Sequence, residues 1–395
     1  MTPYASFPYF LFLLYPAAVL MVLGFTGRLR TGAVLALSAA VLGIQFWNPT
    51  GDTAAGLRQL EYLAAYVLWS LALIYWLQRR PADRRAYYAA IGLALLPLAV
   101  VKVLESHTPA AGLPAGLVDT VGFLGISYMT FRVIDVLILV HDQVLEGTPR
   151  LGELLAYLLF FPTISAGPID RYRRFVADLR AGPGNYAAHV EKAIHRTAQG
   201  FLYKYVFAYL IYQYALAPVA ASHTLGGDVI YMYAYSLYLF FDFAGYTAFA
   251  IGAGHLLGID VPENFAAPFL SPTFRAMWNR WNMTLSFWFR DHIYMRFVLG
   301  ATKRRWFRGN RHTASYLGFL ITMTLMGFWH GFAWNYIVYG LFQGGMLVGY
   351  DFLGRWNRRT QRLRLPAGFA KAASILITAN LFCFSLLIFS GHLFT

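Results

Sequence analysis

SFPYFLFLLYPAAVLMVLGF, residues 6–25, is twenty residues long without a charged side chain, and that run decides the fold. Crossing roughly 30 Å of hydrocarbon takes about 20 apolar residues in a helix. No basic stretch introduces the run and no small-residue cleavage site closes it, which predicts a retained helix, not a signal peptide. The pattern recurs along all 395 residues. Apolar spans are predicted near 7–25, 31–47, 60–77, 86–104, 116–140, 152–168, 198–215, 228–256, 314–330, 333–352 and 369–391.

Composition agrees. Hydrophobic residues make up 58% of the chain and charged ones 13%, more apolar surface than a soluble core of this length can hide. The ten-residue alternation of a membrane β-barrel is absent. The expected architecture is an all-α polytopic membrane protein with about 11 transmembrane or partly spanning helices and interfacial helices beside them. It reads as one integral domain over 1–395: N-terminal helices in 1–150, a core at 151–352 with a basic loop at 257–312, and a basic loop and helix at 353–395.

The net charge of +14 (32 basic minus 18 acidic) does not point to nucleic acid, because the arginines gather in short loops between apolar spans. That is the asymmetry of cytoplasmic loops. Arg28 and Arg30 follow the first span, and Arg79, Arg80, Arg84 and Arg85 follow the third, which places the N-terminus outside a cell membrane. The 152–168 segment carries Pro162, Gly167 and Pro168 and precedes the basic residues Arg171, Arg173, Arg174 and Arg180. It is expected to insert only partly, as broken backbone does where protein or a cavity covers it. Cys383 is the only cysteine, which excludes an internal disulfide and gives little basis for a thiol relay.

Ionisable groups within apolar spans are functional candidates by default. Arg132 and Asp135 lie three apart and are expected to neutralise each other as a structural pair. Asp242, in YLFFDFAGYTAFAIGAG, has no partner at helical spacing and is a candidate for holding a tunnel wall. His330 sits in MGFWHG (326–331), at a break between two short spans, where a cavity can be lined. A buried imidazole stays neutral, the form that takes up a proton as a general base. Asn282 lies in FRAMWNRWNMTLSFWFRDHIYMRFV (274–298); its carboxamide is a candidate oxyanion donor, or else a lock between helices. Trp281, Ser286 and Trp329 flank this pair as candidate wall residues. His107, His141, His189, His195, His223, His255, His312 and His392 show no metal-ligand spacing, and no metal is expected. HExxH, GxSxG, Walker A and CxxC patterns are absent.

Four stretches together resemble the membrane-bound O-acyltransferase (MBOAT) family: FPTISAGPIDRY (161–172), YLFFDFAGYTAFAIG (238–252), WNRWNMTLSFWFRDHIYMRF (278–297) and MGFWHG. The spelling FFDFAGY with WNRWNMTLSFWFRD is more similar to the teichoic acid D-alanylation branch than to the alginate O-acetylation branch. The resemblance implies a central tunnel, with His330 acting in acyl transfer as general base or as acyl acceptor. It places Asn282 at the second active-site position of RWxMxLS. Many relatives carry histidine there; asparagine cannot be a base, so Asn282 is cast as a hydrogen-bond donor. Asp242 matches the family's aspartate.

The implied donor is D-alanine on the phosphopantetheine arm of a small acidic cytosolic carrier protein, with no permanently bound cofactor. The implied acceptor is a hydroxyl on the outer side, on teichoic acid or on a companion membrane protein of the pathway. Lys303, Arg304, Arg305 and Arg308 are expected to dock the carrier, although the same charges also satisfy loop topology. The alternatives are an O-acetyltransferase of an exported polysaccharide and, without visible inverted halves, a transporter or flippase.

Overall fold

The computed structural model describes residues 3–46, 53–107, 123–145, 147–360 and 366–394. Among these residues there are helices and turns but no strand. Among the described residues, five helices are long and apolar enough to cross a membrane: Phe7–Phe25, Ala54–Gln78, Arg84–Leu104, Leu225–Leu256 and Gly368–Ser390. Thr31–Phe46 and Leu151–Thr163 are shorter apolar segments. The protein is a polytopic helical membrane protein. The expected span at 116–140 begins as a helix at Ile126; residues 108–122 lie outside the described chain.

The chain packs as two compact units, one of residues 1–200 and 246–262, the other of residues 201–245 and 263–395. In the first unit the Ile126–His141 helix is buried on nearly every face, from Met129 through Ile138. Neighbouring helices hold it by polar bonds that need no water. The Tyr66 and Thr130 hydroxyls meet at 2.8 Å, and the Tyr87 ring stacks on His141 at 4.0 Å.

Arg132 and Asp135 do not serve each other as the spacing suggested. The Arg132 guanidinium donates to the Tyr157 and Leu158 carbonyls at 2.9 and 3.0 Å and to the Thr163 hydroxyl. It caps the C-terminal end of Leu151–Leu158, where the helix dipole favours a cation. Asp135 accepts from the Tyr172 N–H at 3.0 Å and pairs with Arg171 at 3.1 Å, at the N-terminal end of Tyr172–Ala181. Two helix ends outcompete the neighbouring opposite charge, because each end presents several unbonded backbone groups. Between them the chain runs as a short helix, a 3₁₀ turn at Phe161–Thr163 and extended backbone. Eight helical residues rise about 12 Å, well short of a crossing.

The second unit is built on two helices, Arg311–His330 and Trp334–Thr360, folded back on each other. Their backbones nearly touch. A Cβ on Gly327 would stand 2.4 Å from the Tyr336 carbonyl oxygen, and one on Gly340 would stand 2.6 Å from that of Met323. Small residues at such crossings let helices pack closely where lipid supplies no hydrophobic drive. A polar layer crosses the unit beside them. The Trp278 indole N–H donates to Gln343 Oε1 at 3.2 Å, and the Gln343 amide donates to Ser385 Oγ at 2.8 Å. Gln343 and Ser385 are fully buried, so each bond replaces water that the site cannot hold.

Candidate active site

The WNRWNMTLS motif folds as two short helices, Phe274–Trp278 and Met283–Phe289, joined by a tight bend. Asn282 is the pivot. It is buried and left-handed, with φ 42° and ψ 52°, a conformation that asparagine tolerates better than most residues. Its carbonyl accepts the Ser286 N–H at 3.0 Å, starting the second helix, but its side chain does not cap that helix. Asn264 does so instead. Its carbonyl accepts the Met283 N–H at 2.9 Å, and its Oδ1 accepts the Thr284 N–H at 3.3 Å and the Thr284 hydroxyl at 2.6 Å. The Ala266 N–H donates to the Arg280 carbonyl at 3.0 Å, fixing the two strips side by side.

Trp281 is buried in a box of aromatic rings formed by Phe240, Phe265, Phe269 and Phe382, with centroids 5.1–6.1 Å away. Phe240 belongs to the same helix as Asp242, so the FFDF and RWNM motifs meet through these rings. Asp242 has a partner after all. The Lys204 ammonium, from the π-helical turn Leu202–Ala208, forms a salt bridge with it, and both side chains are mostly covered. The carboxylate is thus paired across helices, where the sequence offered no local counter-ion.

His330 closes the Arg311–His330 helix and is half-buried. Its ring lies 4.8 Å from Phe389, edge to face, with Tyr336 at 6.0 Å and Tyr339 at 6.4 Å, and the adjacent Trp329 ring at 4.5 Å. Gly331 follows in extended backbone, and a Cβ there would meet the Tyr336 ring at 2.8 Å. The aromatic wall therefore comes right up to the chain break. Tyr339 and Phe389 lie one helical turn from Gln343 and Ser385, so the polar layer runs next to the histidine's surroundings.

A cavity of about 340 Å³ opens between these elements. Trp278, Asn279, Ser286, Thr322, Met323 and Met326 are among the residues that line it, and Arg275 and Arg290 supply positive charge. Neither Asn282 nor His330 is among its lining residues; the nearest in sequence are Ser286, four positions after Asn282, and Met326, four positions before His330. A second hollow of about 220 Å³ shares Arg275 and Leu347 with the first and adds Asp351 and Arg358. Arg275 stands 3.8 Å from Asp351. The lining is mostly apolar, and both arginines stand beside carboxylates, Arg275 by Asp351 and Arg290 by Asp291 at 2.8 Å.

Lys303, Arg304, Arg305 and Arg308 are exposed at the end of the Met295–Lys303 helix and do not line either hollow. Arg304 lies over the Trp306 ring at 5.5 Å. Arg305, Phe307 and Arg308 are left-handed, with φ between 53° and 56°. Met295 lines the cavity, so this helix leads from it to the basic turn.

Residues 25–389 match the membrane-bound O-acyltransferase family. The chain is 38% identical to a teichoic acid D-alanyltransferase of Bacillus subtilis over 100% of this chain and 99% of that protein. It is 38% identical to a protein of the same name from Streptococcus thermophilus, over 86% of this chain and 85% of the relative. A probable alginate O-acetylase of Azotobacter vinelandii is 33% identical over 57% of this chain and 44% of its own length. The motif helices, the paired Asp242 and the histidine at the hairpin break stand inside the matched region, and the chain belongs to the membrane-bound O-acyltransferase family, as a membrane-embedded acyltransferase.

Proposed function

We propose that this acyltransferase moves D-alanine from the phosphopantetheine thioester of a cytosolic carrier protein to a hydroxyl on the outer side of the cell membrane. The observation that carries the reading is the end-to-end match, at 38% identity, with a protein named teichoic acid D-alanyltransferase. The cavity agrees with it in kind. A mostly apolar hollow with Arg275 and Arg290 in its lining suits a pantetheine chain that trails a phosphate.

In the reaction, His330 takes the proton of the acceptor hydroxyl as its oxygen attacks the thioester carbonyl. Positioned acid–base groups contribute ~10²–10⁴-fold. The Asn282 amide N–H donates to the oxyanion; losing one such donor costs about 3–4 kcal/mol. Collapse of the intermediate breaks the C–S bond, forms the ester, and returns the proton to the leaving thiolate. Ser286 shapes the cavity, Trp329 flanks His330, Trp281 anchors the bend, and the Asp242–Lys204 pair braces the helix that carries Phe240. Lys303, Arg304, Arg305 and Arg308 receive the acidic carrier on the cytoplasmic side, with the N-terminus outside. The acceptor is teichoic acid or a companion membrane protein that relays the alanyl group.

The 33% identity to probable alginate O-acetylases favours a second reading, acetyl transfer to an exported polysaccharide. Purified protein in liposomes, given a radiolabelled D-alanyl carrier and an acetyl donor separately, separates the two. Loss of label from the carrier that depends on His330 is the expected result. Full transfer by His330→Ala removes the histidine from the mechanism; transfer from the acetyl donor alone replaces the substrate.

A further inference from the structure

Two imidazole nitrogens in the unit of residues 1–200 and 246–262 are buried with no hydrogen-bond partner: Nδ1 of His189 and Nδ1 of His255. His189 comes from the first turn of Tyr186–Phe201 and His255 from the last turn of Leu225–Leu256, and their rings lie 5.5 Å apart at 68°. His255 is only 7% exposed. A buried polar atom left without a bond costs about 1–3 kcal/mol, so two on neighbouring rings call for an occupant.

The third group is delivered by a built turn. After His255 the helix ends in a Schellman motif: the Ile259 N–H donates to Gly254 O at 3.0 Å and the Gly258 N–H to His255 O at 2.9 Å, with Gly258 at φ 73°. This brings Asp260 back beside the ring. Its backbone is fixed from both sides, because its N–H donates to Asp178 Oδ2 at 3.2 Å and its carbonyl accepts from Arg174. The carboxylate remains, with Oδ1 3.1 Å from His255 Nδ1, close but not aligned as a hydrogen bond. One ligand atom from each of His189, His255 and Asp260 lies within 4.8 Å of the others.

Such spacing lets the three side chains close on one ion by a shift of about 1 Å. Two donors bound at about 2.0–2.2 Å to a tetrahedral ion stand roughly 3.3–3.5 Å apart. Two imidazoles and one carboxylate form a donor set that suits zinc, with water at the fourth position. We propose that His189, His255 and Asp260 bind a divalent transition-metal ion of the zinc type. The ion clasps the start of Tyr186–Phe201 to the end of Leu225–Leu256. Asp260 is more than half exposed and gives the ion a route from water. Lys192 and Arg196 act on the same site electrostatically and oppose a cation, which limits the affinity.

The test uses full-length protein purified in detergent without a histidine tag, stripped with a chelator and reloaded with zinc chloride. Bound zinc is counted by mass spectrometry after desalting, and affinity is read by competition with a chelating dye. Because His255 is buried, the variants are His189→Gln and Asp260→Asn, each checked for a single gel-filtration peak. The expected result is the loss of one zinc equivalent in each variant, with affinity at least ten-fold weaker. Zinc should raise the melting temperature of the unaltered chain and of His195→Ala, an exposed histidine on the same helix, but not of the two variants. Equal zinc in the variants and the unaltered chain overturns the site, and so does an unaltered chain that holds none.

Discussion

Asn264 caps the helix that Asn282 opens, taking the Thr284 N–H at 3.3 Å and the Thr284 hydroxyl at 2.6 Å on a single carboxamide oxygen. The aim of Asn282 is therefore set by a residue outside its own motif. Deleting both bonds with Asn264→Ala should cost about 1–3 kcal/mol. Melting temperature and acyl-transfer rate should fall together. If Asn264→Ala melts and turns over like the unaltered protein, the cap does not govern the bend.

Asn282 combines a left-handed backbone with a carboxamide, and two substitutions separate these roles. Glycine adopts φ 42° without strain but carries no amide. Asn282→Gly and Asn282→Ala should both lower turnover by about 10²–10³-fold, the loss expected for one oxyanion donor. Alanine should also lower the melting temperature. A glycine variant with an unaltered rate would reduce the position to a hinge.

Gly327 and Gly340 sit where the hairpin backbones nearly touch, so a methyl group at either must displace backbone. Gly327→Ala and Gly340→Ala should destabilise by about 1–3 kcal/mol. Gly327 is three residues before His330, and activity should drop with stability there. Gly345 faces open space, and Gly345→Ala is the matched control with no change in either measurement.

Charge reversal at Arg304 and Arg305 should weaken carrier binding by about ten-fold at low salt and by less at high salt. Titration of fluorescent carrier into the purified protein reads this directly. Unchanged dissociation constants would assign those arginines to membrane topology alone.

The apolar runs and the position of His330 at a chain break were legible because both are local signals, written in consecutive residues. The bend at Asn282 was not, since its cap comes from Asn264 on another segment and no neighbour announces it. Asp242 looked solitary for the same reason: its counter-charge, Lys204, lies 38 positions away. Arg132 and Asp135 misled in the opposite sense. Three-residue spacing permits a pair, but spacing says nothing about the helix ends that bid for the same charges. His189 and His255 met only through the fold, and a turn at Gly258 completed their company.

The Arg132 guanidinium has two carbonyls, a hydroxyl and almost no water around it. Any displacement of the stretch around Pro162 would strand that charge in the interior, where an unpaired ion is strongly destabilising. The arginine thus acts as a rivet between its own helix and the broken segment.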